Sequence, residues 1–174
     1  MLEAAAGKAE LIVQISAFLA WAGPGRKLTA TGRIGLADAR HLVELLGTDD
    51  TIDPDIGGRV FKTRSSEDLP HLNRIVEWAK AARLVRASGT KLMPVKKNAA
   101  LGERPLDLVL ALLEAYPRLG KPLFPRNTWR QSLVGDEFTD ISQELTTALL
   151  RSAGPCPLDE LSEIAYHEIG RAHV

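Results

Sequence analysis

The chain is short of the residues that usually announce a chemistry. Cys156 is the single cysteine among 174 residues. No intrachain disulfide is possible, and a reducing, cytoplasmic compartment is expected. Cys156 also lies between two prolines with no basic neighbour to lower its pKa, so it is not read as a nucleophile. The four histidines, His41, His71, His167 and His173, are scattered singly, and the one carboxylate at ligand spacing, Asp38 three residues before His41, reads as ordinary helix-surface pairing. Net charge is absent too: 22 basic residues meet 22 acidic ones, so no whole-chain electrostatic case for nucleic acid exists. No stretch approaches the apolar length of a membrane span, and no basic segment precedes the first apolar run as in a signal peptide.

Two motifs fail on inspection. The acids Asp49, Asp50, Asp53 and Asp55 resemble a calcium loop, but the places that need glycine and glutamate hold Pro54 and Val60. Gly23-Pro24-Gly25-Arg26-Lys27 lacks the spacing of a phosphate loop. No enzyme, metal site or cofactor is expected.

What is present is a stretch around which the rest is arranged, Pro70–Lys97. Leu72, Ile75, Val76 and Ala79 fall on one face of a helical period, and Pro70 suits a first helical turn. After Arg83 the pattern becomes β-type. Leu84–Ala87 and Lys91–Val95 read as antiparallel strands joined at Ser88-Gly89, with Pro94 marking the returning strand as an edge. A helix feeding directly into a basic-tipped hairpin is the C-terminal half of a winged helix.

Upstream, Ala9–Ala22 reads as an apolar helix with Leu11, Ile15, Phe18, Leu19 and Ala22 as its stripe, ended by Gly23-Pro24-Gly25. Arg26–Thr29 reads as a short edge strand. A helix over Ile34–Leu46 follows, with Leu36, Ala39, Leu42, Val43 and Leu46 inward and Gly47 as its stop. Thr48–Ser65 is long for a connection, so it reads as a working loop or one holding a short strand near Gly57–Lys62. Downstream, Lys96–Arg104 reads as a linker. The next helix opens at Pro105, with Leu106, Val109, Leu110, Leu113 and Tyr116 on its stripe. A short helix capped by Asn127 is then expected, and after it one carrying Phe138, Ile141, Leu145 and Leu149. A last helix holds Leu158, Leu161, Ala165 and Ile169.

The expected fold is therefore α+β and mostly helical, with a winged-helix-like N-terminal part over Ala9–Lys97 and a helical part over Pro105–Gly170. Ala17–Pro24 and Ala148–Pro155 match at five of eight positions. That match reads either as the opening of a second winged-helix-like unit or as chance likeness between two helix endings. Leu28–Gly47, Arg59–Arg86 and Lys121–Phe138 together resemble a group of uncharacterised actinobacterial proteins with winged-helix-like segments. The resemblance implies a fold and carries no catalytic motif.

Charge is unevenly placed. Arg59–Lys97 holds ten Lys/Arg against three Asp/Glu, while Leu36–Gly57 and Val134–Val174 are both net acidic. On the outer face of the Pro70 helix, Asn73 and Arg74 are suited to reading bases, beside Glu77, which would repel phosphate or pair with Arg74. Arg86, Lys91, Lys96 and Lys97 could meet phosphates without reading sequence. The competing reading is a solvated wing that only aids solubility. The expected function is a non-enzymatic module that binds duplex DNA, or else one that binds a protein partner or a second copy of itself.

Overall fold

The computed structural model describes residues 2–119, 138–152 and 156–171. The protein is a mostly helical α+β chain with small antiparallel sheets. Internal contacts divide it into two units, Met1–Glu114 and Ala115–Val174.

In the first unit the elements run α1 (Leu2–Ala6), α2 (Glu10–Ala22), β1 (Arg26–Lys27), α3 (Leu36–Leu46), β2 (Asp55–Ile56) and β3 (Arg59–Val60). Then come the 3-10 turn Ser66–Asp68, α4 (Pro70–Ala81), β4 (Val85–Ser88), β5 (Lys91–Pro94), a 3-10 stretch Lys96–Glu103 and α5 (Pro105–Ala115). The core is formed where α2, α3 and α4 meet. Ile15 and Phe18 of α2, Leu42 of α3 and Leu72 of α4 are wholly enclosed there. All four apolar residues expected on the inner face of α4 are buried, as are Ala39, Leu42, Val43 and Leu46 of α3.

Where nearly every position of a helix is apolar, periodicity does not select the buried face. In α2 the enclosed residues are Ile12, Ile15, Phe18, Trp21 and Ala22, so Leu11 and Leu19 are only half-buried. In α5 the inner face is Leu108 and Leu112, while Leu110 and Leu113 of the expected stripe are exposed at 58% and 61%. That helix is tied to the first unit by the Trp78 indole, which donates to the Leu112 carbonyl at 3.1 Å. The two units meet between Glu114 and Ala115, at the last residue of α5. The expected linker Lys96–Arg104 is largely a 3-10 stretch, and Ser16 of α2 donates to its Gly102 carbonyl at 3.2 Å.

The main sheet has the order β1-β5-β4, all antiparallel. Pairing runs from Val85↔Pro94 to Ser88↔Lys91, so the turn is Gly89-Thr90, one residue beyond the expected Ser88-Gly89. Gly89 takes the positive φ of +56° that its first central position needs. The strand β5 is central and not an edge, yet it tolerates Pro94. Val95 donates to Leu84, so by alternation position 94 faces away from β4, on the side where β1 has already ended.

In the second unit, helices Phe138–Arg151 and Leu158–Arg171 pack on each other, and the 3-10 turn Tyr116–Arg118 packs on the first of them. The Tyr116 and Phe138 rings meet edge to face at 5.2 Å, and Thr139 donates to the Pro117 carbonyl. Phe138 and Ile141 are buried as expected, but Leu149 and Leu158 are exposed. The helix expected after Asn127, Trp129 and the side chain of Ile169 lie outside the described residues.

Truncating the face of α4 tests this core. Leu72→Ala or Ile75→Ala is expected to cost about 2–5 kcal/mol through lost burial and a cavity. Chemical denaturation of each variant reads that loss directly, and an unchanged midpoint would contradict the packing described.

Candidate nucleic-acid interface

The basic stretch is mounted on α4, and α4 is anchored at both ends. Leu69, at its N-cap position, offers no side-chain oxygen. The missing acceptor comes from twenty residues upstream. Asp50 accepts the backbone N–H of His71 at 2.9 Å with one carboxylate oxygen and that of Leu72 at 2.7 Å with the other. A carboxylate at a helix N-terminus satisfies two orphan donors and complements the dipole. At the far end Arg83 adopts a positive φ of +56°, and Leu84 donates back to Ala79. Val85 then begins the strand. The hairpin is thereby carried rigidly off the end of the helix.

Sheet register sorts its side chains onto two faces. Directly paired residues share a face, and neighbours along a strand alternate. Val85, Ala87 and Leu92 share the inner face, where Val85 and Leu92 are enclosed. Arg86, Ser88, Lys91 and Met93 take the outer face. Pairing of Lys27 with Lys91 adds Lys27 to that face. Lys27, Arg86 and Lys91 are all exposed, and none has an ion-pair partner among the described residues. Two lysines directly opposed in a sheet repel each other, an arrangement that costs stability unless an anion lies across them.

Lys96 and Lys97 follow at the exposed start of the 3-10 stretch. Asn73 and Arg74 are half-buried on the outward face of α4, away from Leu72, Ile75, Val76 and Ala79. Arg74 does not pair with Glu77. That carboxylate is held by Lys80 at 2.8 Å, which leaves the guanidinium unpaired among the described residues. The local repulsion of phosphate expected from Glu77 is reduced by the same ion pair. An open hollow of about 430 Å³ is lined by Lys80, Arg83, Val85, Arg86, Ala87 and Val95.

Lys27 and Arg83 escaped the sequence reading. The strand containing Lys27 was legible, but its partner strand was not, and the positive φ of Arg83 has no sequence signal.

The acidic loop before α4 is structural. Asp53 Oδ1 accepts the Thr63 backbone N–H at 2.8 Å, its own N–H donates to Thr63 Oγ1, and Arg40 of α3 grips its carboxylate. The Thr63 N–H bond and the Arg40 guanidinium hold the Asp53 carboxyl below its ordinary value of 3.8. Among the described residues, no three His, Cys, Asp or Glu side chains gather as metal ligands do. Cys156 has its thiol pushed up by partial burial and by Glu160. No helix among the described residues is long and apolar enough to cross a membrane.

Two outcomes are expected. A carboxyl whose folded pKa is depressed contributes stability above its unfolded value and loses it as pH falls through the folded one. Asp53→Asn should therefore melt below the parent near neutral pH, with the gap closing as pH drops under 3.8; thermal melts across an acid series check this. Lys91→Thr should relieve the facing lysines and leave the melting temperature unchanged or slightly raised, while weakening anion binding measured on the same sample.

No protein-family model matches this chain, and neither the curated proteins nor the solved structures contain a match to it.

Proposed function

We propose that this chain is a non-enzymatic nucleic-acid-binding module on a winged-helix scaffold. The carrying observation is the unpaired cation set Lys27, Arg86 and Lys91 on one exposed face of the β4–β5 hairpin and its neighbour β1. The order α2, β1, α3, α4, β4, β5, with β5 between β1 and β4, supports the scaffold reading. It departs from a simple helix-turn-helix in the long α3–α4 connection, where three or four residues would be usual.

On this reading the hairpin and Lys96-Lys97 grip phosphates and set position without reading sequence. Asn73 and Arg74, on the outward face of α4, have the chemistry to read base edges: asparagine pairs with adenine, arginine with guanine. A second reading, a protein-interaction or oligomerisation module, draws on exposed Leu110 and Leu113, three residues apart on α5.

Fluorescence anisotropy with random duplex DNA across a salt series separates the two. Each neutralised phosphate contributes a slope of about 0.9 to the fall of log affinity with log salt. Replacing Lys96 and Lys97 together by alanine should flatten that slope by about two units and leave sequence preference unchanged. Arg74→Ala should instead relax sequence preference. Absence of binding at low salt, where attraction is strongest, would overturn the nucleic-acid reading in favour of the protein-interaction one.

A further inference from the structure

The long connection between α3 and α4 is not slack chain. It holds a second hairpin, β2–β3, with Asp55 paired to Val60 and Ile56 to Arg59. Gly57 and Gly58 form its tip, with φ of +64° and +80°. Positive φ at both central residues is the two-residue turn whose twist matches the strands it joins. Beyond the pairing, Phe61 donates to the Pro54 carbonyl at 2.9 Å.

Its base is fixed from three directions. Asp53 and Thr63 bond reciprocally across the base, and Arg40 of α3 clasps Asp53. Three residues earlier, Asp50 caps α4. Asp53 itself is held at a positive φ of +51°, a strained setting for a residue with a side chain. A projection with a base this well determined is a device of the fold.

The charge it carries points to its partner. Arg59, Lys62 and Arg64 are all exposed, and none has an ion-pair partner among the described residues. No acid lies between Ile56 and Ser65. The Arg59 guanidinium rests over the Phe61 ring, 5.3 Å from its centroid. A cation braced on an aromatic face gives up less freedom when it meets an anion.

Placement does the rest. This hairpin is tied to the N-terminal end of α4, and the β4–β5 hairpin leaves its C-terminal end. Twelve helical residues separate the two attachment points, about 18 Å along the axis. That is of the order of the B-DNA major groove, about 12 Å wide, plus the backbones that border it.

We propose that the β2–β3 hairpin is a second contact to the duplex backbone, so that α4 is held between two basic projections, Arg59, Lys62 and Arg64 at one end and Arg86, Lys91, Lys96 and Lys97 at the other. This rests on the nucleic-acid reading above and adds a partner-contacting element outside Pro70–Lys97.

The test compares three forms of the full chain by anisotropy on one random duplex over a salt series: the parent, R59A/K62A/R64A and K91A/K96A/K97A. Both sets are exposed and without ion-pair partners among the described residues, so near-parental thermal melts verify that each variant is folded. The first variant is expected to flatten the salt slope by about two to three units, with a comparable, independent loss in the second. A first variant with the parental slope, alongside a flattened second, overturns the two-contact proposal and leaves the nucleic-acid reading standing. A parent that does not bind at low salt overturns both.

Discussion

The N-terminal unit depends on the burial of one helix face. Leu72, Ile75, Val76 and Ala79 set α4 against α2 and α3, and each later feature takes its position from that contact. Because the helix is close-packed on its inner side, the axis has no freedom to rotate. Trp78 reaches sideways from it to the α5 backbone, and Asp50 closes its first turn. The chain leaving the helix must then enter the sheet at Val85, one residue after Leu84, which is itself almost fully enclosed. The orientation of the basic hairpin is thus a consequence of core packing.

Charge in this unit is sorted by role. Several acids are taken up internally: Asp50, Asp53 and Asp68 accept backbone N–H groups, while Glu67 and Glu77 pair with Arg33 and Lys80. The cations of both hairpins have no such partners among the described residues. A chain with zero formal charge can therefore present basic projections, since its acids are concentrated in other segments and those near the projections are engaged in turns, helix starts and ion pairs. Interactions of that surface with polyanions would be sensitive to salt in a way that net charge does not reveal.

Much of the first unit was legible in its sequence, for identifiable reasons. The helices α3 and α4 alternate apolar and polar residues with a clear period, so their buried faces could be read directly, although α3 begins at Leu36 and not Ile34, and Leu36 itself is only half-buried. Glycine located the β4–β5 hairpin, although its turn lies one residue past the expected place, whereas near Gly57–Lys62 a single short strand is expected and Gly57-Gly58 is instead the turn between two. In α2 and α5, apolar residues on every side removed the periodic signal, and only packing could choose Ile12 and Trp21, or Leu108 and Leu112.

The sequence by itself determined that α2 to α5 and the two helices of the second unit are helical, that a hairpin follows α4, and that basic residues crowd Arg59–Lys97. Those properties are local, set by side-chain period, by turn chemistry and by composition. Tertiary structure alone decided that Lys27 faces Lys91, that Glu77 pairs with Lys80 and not Arg74, and that Asp50 starts a helix twenty residues away. Each joins residues through strand pairing, competition among neighbours or long-range capping. Such pairings depend on where the closed core holds the backbone, and no sequence window contains that information.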